Sequence, residues 1–358
     1  MAKKKVLFIA PYPFQEAPSQ RFRFEQYFDI LKENNIEPVL KPFLSDKGWK
    51  TLYRDGASFA KAMAMFTSIF RRFLLLFTIR RYSHIFIHRE ASMIGPPFFE
   101  WIITKVLRRK FIYDFDDAIW LPNYSAANAK FQRLKMYGKV KKIIRWADRV
   151  QAGNEFLATY ARQFNKNVVV VPTTVDTTRV HCVEGNPDQD PLVIGWTGSH
   201  TTSVYLEFLL PVLDELIKDY NFEFHVISNH HPDFQRDYLR YIKWNRETEI
   251  ADLAKFNIGV MPLADTQWAK GKCGFKGLQY MALRIPAILS PVGVNKTIIK
   301  HKVNGFMSAT PEEWEKSLRR LIENPELRKE IGDRGRKTVE DHYSVKAYKA
   351  HYLKLFTS

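Results

Sequence analysis

At 358 residues, with 46% hydrophobic and 14% aromatic content, the chain is too long for one ordinary core and suits two globular domains of about 150 to 180 residues rather than a disordered polymer. Its two cysteines, Cys182 and Cys273, stand far apart and outside any CxxC spacing, which argues against a disulfide framework or a structural zinc site and for a reducing cytoplasm. The net charge of +17 is uneven: residues 1–180 hold 31 Lys and Arg against 15 Asp and Glu, whereas residues 181–358 hold 24 against 23.

In chain order, the basic start "MAKKKVLFIAPYPF" carries an apolar run of about five residues that stops at Pro11, which reads as a first strand and not as a signal peptide. Short β-branched runs then alternate with helical patterns, the mark of βαβ units and parallel sheets. Strands are predicted at 6–10, 37–43, 84–89, 110–115, 149–153 and 167–172. Between the second and third, "FAKAMAMFTSIFRRFLLLFTI" is the chain's most apolar segment, but Arg71 and Arg72 divide it short of the roughly 18 residues that span a bilayer. The polar stretch 182–191 reads as a linker, after which strands return at 192–198, 223–228, 258–263, 286–290 and 305–309. The tail 338–356 reads as a helix with Tyr343, Tyr348, Tyr352 and Phe356 at near-helical spacing. The expected architecture is α/β, with two open parallel sheets in tandem and ligands at the carboxyl ends of the strands in a cleft between the domains.

The basic first half suits an anionic partner, either nucleic acid or a membrane. Its Lys and Arg are interleaved with apolar and aromatic runs, as in "VKKIIRWADRV", which favours an amphipathic segment in a lipid interface over a phosphate-tracking groove. Helices that bury one face in the core and solvate their arginines are the plain alternative.

No GxGxxG follows the first strand. A proline-rich loop instead presents Ser19, Arg21 and Arg23 ahead of a helix, where two arginines can clamp a phosphate or carboxylate. In the second half, Gly198, Ser199, His200 and Thr201 follow the 192–198 strand and open a helix, a phosphate-sized arrangement. "KGKCGFKGLQYMA", residues 270–282, is more pointed: Lys270, Lys272 and Lys276 crowd a helix start, where they oppose the helix dipole. A multiply charged anion such as a diphosphate explains them. At two further strand ends lie His88, Arg89 and Glu90, and then Asp114, Asp116 and Asp117. The Asp-x-Asp pattern suits either a divalent cation bridging a diphosphate or acids that orient basic groups and hydroxyls. His88 suits a core or a functional role.

The order "PYP…PSQRFR", "HREA…GPPFFEW", "YDFDDAIW", "IGWTGS", "MPLADTQWAKGKCGFKGLQYMALRIPAILSPVGVN" and "NGF" resembles the bacterial family 4 retaining glycosyltransferases of GT-B fold, over nearly the whole chain. The resemblance implies two Rossmann-like domains facing a cleft: an acceptor domain at residues 1–180, joined by a returning helix at 341–358, and a nucleotide-sugar domain at 190–340. It implies a lipid-linked or glycan acceptor in cell-surface polysaccharide synthesis, no required metal or cofactor, no nucleic acid, and docking on the cytoplasmic face of the membrane. Lys276, Lys272, His88 and Asp116 are the catalytic candidates. Gly198, Ser199, His200, Thr201, Lys270, Gly274, Phe275 and Gln279 are expected at the donor, and Ser19, Arg21, Arg23, Arg89, Asp114 and Asp117 on the acceptor or phosphate side. The family pattern has two glutamates here; this chain has Gly271 and Gln279 in their places, and Ser199, His200 and Thr201 where the family has basic residues. A sugar-nucleotide epimerase and a non-catalytic membrane- or nucleic-acid-binding module are the alternatives.

Overall fold

The computed structural model describes residues 3–357 except 53, 55, 57, 123–131 and 186–188. The chain divides into two compact units: residues 1–173 with 349–358, and residues 174–348. Each is built on a six-stranded sheet in which every named pairing is parallel.

The first sheet contains β1 (Lys4–Ala10), β2 (Ile36–Pro42), β3 (His84–His88), β4 (Ile112–Phe115), β5 (Arg149–Ala152) and β6 (Val168–Val170) in the order β2-β1-β3-β4-β5-β6. Parallel strands buried on both faces read as unbroken apolar runs, and residues 6–10 of β1 are all buried. Phe8 is the hub of this core, with ring centroids 4.9 Å from Phe28, 5.1 Å from Phe86 and 5.7 Å from Phe356. Phe356 belongs to the final helix, Val345–Thr357, whose Tyr352 also stacks on Tyr27 at 3.8 Å. These aromatic contacts tie the end of the chain to its beginning.

The helix Ser58–Thr78 packs unusually. Its buried stripe is narrow and partly polar: Ser68, Arg72 and Leu75, continued by Ile79. Arg72 donates to the carbonyls of Ala91 at 2.8 Å, Lys41 at 2.7 Å and Ala10 at 2.9 Å, so one guanidinium fastens the helix to the ends of β1 and β2. The arginine that divides the apolar segment in sequence is the one that anchors it. The opposite stripe is apolar yet exposed: Phe59, Met63, Phe66, Phe70, Leu74 and Phe77, the last 85% exposed.

The second sheet contains β7 (Leu192–Gly198), β8 (Phe222–Ser228), β9 (Leu239–Lys243), β10 (Ile258–Met261), β11 (Ala287–Leu289) and β12 (Phe306–Met307) in the order β12-β11-β10-β7-β8-β9. Its core gathers Trp196, Phe224, Val260, Ile288 and Trp314. The helix Pro311–Glu323 starts at a reciprocal cap, in which Thr310 accepts from the Glu313 amide and Glu313 accepts from that of Thr310. Eleven of the strands fall where the sequence places them. β9 was not expected, because this edge strand carries charge at Arg240 and Lys243 and has no apolar run.

Replacing Arg72 with Met leaves three buried carbonyls without a donor and should destabilise the first unit by roughly 3 kcal/mol or more. Urea unfolding reads this as a lowered midpoint; an unchanged midpoint contradicts the anchoring role.

Candidate functional site

In an open parallel sheet the crevice opens where the strand order reverses, outside the carboxyl ends. For the second sheet that point lies between β7 and β10, and for the first between β1 and β3. The two crevices hold different chemistry.

At the β7/β10 crevice, Tyr280 sits beneath the floor. Its hydroxyl accepts from the Thr197 amide at 3.1 Å and donates to the Val260 carbonyl at 3.3 Å, joining the two strands to the helix Phe275–Ala282 that carries it. Burial raises the Tyr280 phenol above its ordinary value, which keeps it a neutral donor. Gly274 starts that helix at φ +67°, in the left-handed region, and a Cβ there would meet the Ile298 side chain at 2.3 Å, so glycine is required twice over. The following residue but one, Lys276, reaches across to β7: its ammonium lies 5.5 Å from the centroid of the buried Trp196 ring, and its stem is 2.8 Å from where a Cβ on Gly198 would stand. Gly198 therefore leaves room for Lys276, and Trp196 supplies a cation–π seat.

Lys272 sits 4.9 Å over the Trp268 ring, and Lys270 pairs with Asp265 at 3.2 Å. Lys270 ends the short turn Gln267–Lys270, which Thr266 caps by accepting from the Ala269 amide at 3.1 Å, and Lys272 follows it. Phe275, Lys270, Lys272 and Lys276 are half-buried and Ser199 is exposed. Ser199 leads into a helix of only four residues, His200–Ser203; the side chains of His200 and Thr201 lie outside the described residues.

Gln279 departs from expectation. It is 1% exposed, and its amide makes long hydrogen bonds to Glu249 at 3.4 Å and to the His181 ring at 3.5 Å. The helix turns this position inward, so the glutamine joins a buried polar group instead of facing the crevice. Glu249 and His181 went unnoticed in the sequence because they lie 30 and 98 residues from Gln279 with no motif around them.

The first-sheet crevice is built from buried ion pairs. Arg23 was read as a surface clamp for an anion; it is instead 1% exposed, with its guanidinium bonded to both Asp114 carboxylate oxygens and to the Val171 carbonyl. Its backbone carbonyl accepts from the Tyr352 hydroxyl of the final helix. A fully enclosed guanidinium needs these acceptors, which is why Arg23 points inward. Asp114 also meets His88 Nδ1 at 2.7 Å, leaving His88 Nε2 buried with no hydrogen-bond partner among the described residues and 4.0 Å from Asp116. Burial alone would raise the Asp114 carboxyl, but the Arg23 charge and the His88 hydrogen bond outweigh it and hold the group at about 2.

Arg89 adopts φ +58°, a conformation non-glycine residues rarely take. The turn lets its guanidinium meet Asp116 at 2.8 Å and Asp117 at 2.6 Å, while Tyr113 donates to its carbonyl at 2.7 Å. Burial disfavours the charged guanidinium, yet the two carboxylates more than compensate and raise Arg89 well above its usual value. The structure thus sets Asp114, Asp116 and Asp117 against Arg23 and Arg89. Ser19 and Arg21 lie in the short helix Pro18–Arg21, both half-buried.

Residues 261–338, which contain the lysine loop and the helix behind it, match the family described as glycosyl transferases group 1. A frog protein, glycosyltransferase 1 domain-containing protein 1 of Xenopus tropicalis, is 31% identical over 67 residues, so the matched stretch spans 19% of either chain. Among solved structures, sucrose-phosphate synthase from Thermosynechococcus elongatus superposes with a TM-score of 0.72 at 12% identity, over 99% of this chain and 98% of that one. HepE of Anabaena, in complex with UDP and glucose, superposes with a TM-score of 0.67 at 12% identity, over 99% and 100%. The fold is GT-B, and residues 261–338 carry a domain that matches the glycosyl transferases group 1 family.

Two outcomes follow for Asp114. Asp114→Asn strands a buried guanidinium and should cost roughly 3–5 kcal/mol of first-unit stability by denaturant unfolding; a loss below 1 kcal/mol would contradict the pairing. Because its folded value lies below the ordinary 3.8, the carboxylate's contribution of ~2 kcal/mol is complete above that pH and is lost as pH falls toward 2. Acid unfolding of the wild type compared with Asp114→Asn reads that slope.

Proposed function

We propose that this chain is a retaining glycosyltransferase of family 4 type. It takes a sugar from a nucleoside diphosphate held by the second unit and passes it to a lipid-linked or glycan acceptor held by the first, in cell-surface polysaccharide synthesis. The observation that carries this reading is the β7/β10 crevice, where Lys276 is seated on Trp196 and Lys270 and Lys272 stand on the adjoining turn. Three ammonium groups gathered at the start of one helix cost electrostatic self-repulsion in the free protein. A bound diphosphate relieves it. Support for a sugar nucleotide comes also from HepE, whose structure holds UDP and glucose on the same fold.

In the proposed reaction the bond between the sugar C1 and the diphosphate oxygen breaks, and the electron pair stays on the phosphate. The lysines and the amides of Phe275 and Lys276 stabilise that developing charge, the term most active sites of this kind lean on. The acceptor hydroxyl then attacks C1 from the face the diphosphate left, and its proton passes to the leaving phosphate oxygen. The first unit offers His88 Nε2 and the Asp116 carboxylate to sugar hydroxyls, with Asp114 positioning the histidine ring. Neutralisation falls to lysines in this scheme, so no metal or other cofactor is assigned.

The same reading places the protein on the cytoplasmic face of the membrane, where lipid-linked acceptors lie. Ser58–Arg81, 24 residues containing an 18-residue window of mean hydropathy 1.5, is long and apolar enough to cross a bilayer by length and composition. Arg72 bonded to three carbonyls of the first unit argues that the helix lies along the surface instead, presenting its phenylalanine stripe to lipid. Phe73 stacks edge-on with Phe99 at 5.1 Å, and the exposed Phe98 and Trp101 widen the stripe. A stripe this apolar suits lipid better than nucleic acid.

Lys276→Ala should lower acceptor-dependent nucleotide release by about 10²–10³-fold with an unchanged unfolding midpoint; unchanged turnover rejects the assignment. Conversion of the sugar nucleotide to its epimer with no acceptor present points to an epimerase. Phe66→Asp with Phe77→Asp should abolish sedimentation with anionic liposomes, and undiminished pelleting rules out this stripe as the contact.

A further inference from the structure

A basic cavity lies at the opposite end of the first sheet. A cavity of about 480 Å³ opens at the amino-terminal ends of β3, β4 and β5, where His84, Ile112 and Arg149 stand. At 3.3 Å per residue, the length of β3 sets it roughly 13 Å from the carboxyl edge that carries His88 and Arg89. It belongs to neither crevice described above. Its wall carries Arg108, Arg109, Lys110 and Arg149 against a single acid, Asp148. Buried Ile85, Phe111 and Leu355 form an apolar floor.

Three of these charged groups are already engaged. Lys110 pairs with Asp148 at 2.8 Å, which raises the ammonium through that hydrogen bond, and Arg109 donates to the carbonyls of Tyr82 and Ser83. Arg109 shows what a purely structural arginine does here: it satisfies carbonyls at the ends of the neighbouring segments. Arg108 and Arg149 do not. Among the described residues the side chain of neither makes a hydrogen bond or an ion pair with the protein. The φ of +50° at Arg108 belongs to the end of the preceding helix, where the Arg109 amide donates to the Ile103 carbonyl at 2.9 Å, and the Arg108 side chain is left at the cavity wall. Arg149 is half-buried at the first position of β5, where a central strand of a parallel sheet has no structural need for charge. Like charges gathered around one cavity repel one another, and the arrangement is stabilised by an anion that takes the guanidinium fork geometry.

We propose that this cavity binds a phosphate-bearing ligand through Arg108 and Arg149, with Lys110 completing the charge. The volume exceeds that of one phosphate group, so an ester with a small polar substituent fits, either a free phosphate ester or the headgroup of a phospholipid. The end of the phenylalanine-striped helix leads directly into it: Phe77 is followed by Arg80, Arg81 and then by Ser83 and His84 of the cavity wall. This inference does not depend on the sugar-transfer reading, because none of its residues belongs to that site.

The test uses the full chain carrying Lys276→Ala, so that the donor loop does not contribute, at about 0.15 M salt, where exposed charges are screened beyond ~8 Å. Inorganic phosphate is the free probe, followed by titration calorimetry. Phosphatidylcholine vesicles with and without phosphatidylglycerol are the lipid probe, read as the increment in pelleting that the anionic lipid adds. Introducing Arg108→Gln and Arg149→Gln together should weaken one of these responses at least 10-fold while the circular dichroism spectrum is kept. Loss of the phosphate response assigns a soluble ester, and loss of the vesicle increment assigns a lipid headgroup. Unchanged responses to both probes, or no response from the parent, would overturn the proposal.

Discussion

Parallel pairing is the constraint on which the rest of this molecule depends. A parallel strand cannot follow its neighbour by a tight turn, so each connection crosses a face of the sheet, and the crossings leave a gap only where the order of strands reverses. In each sheet that gap falls beside the first strand, β1 or β7. Chemistry concentrates at those two points because loops leaving adjacent strands diverge there and expose backbone and side chains without breaking the core. The lysine loop and the His88 and Arg89 turn are each the first loop after a strand bordering its gap.

The two sites obtain their order in opposite ways. In the second unit the frame is nearly neutral: Tyr280 bridges two strands, Gly274 turns the chain, and Gly198 keeps space open for Lys276. Positive charge is then placed on that frame with few opposing acids. In the first unit the frame is itself ionic. Asp114 sits between Arg23 and His88, and Arg89 between Asp116 and Asp117, so nearly every charge is answered within the protein. Buried pairs of this kind stabilise little against an apolar alternative, but they fix orientation, since each partner tolerates one geometry. A site rich in lysine is suited to taking up an anion, and one of matched ion pairs to aligning neutral hydroxyls.

Much of this was legible in the sequence. Eleven strands were found from apolar runs, because strands buried on both faces have no alternative pattern. The lysine loop was recognised from charge set against a helix dipole, a local signal needing no partner. What escaped detection depends on residues far apart in the chain: Arg23 meets Asp114 across 91 positions, and Gln279 meets His181 across 98. No periodicity reports such pairs. Arg72 is instructive in the same way, since in sequence it interrupts an apolar helix and in the fold it is that helix's attachment.

The central claim is that the lysines of residues 270–276 hold a diphosphate. It is tested most directly by calorimetric titration of the wild-type protein with a nucleoside diphosphate and with the same nucleoside lacking phosphates, repeated across the common bases. The account predicts that at least one diphosphate binds and exceeds its nucleoside by 100-fold or more, with affinity falling as salt rises. Equal affinity for the two members of every pair would contradict it.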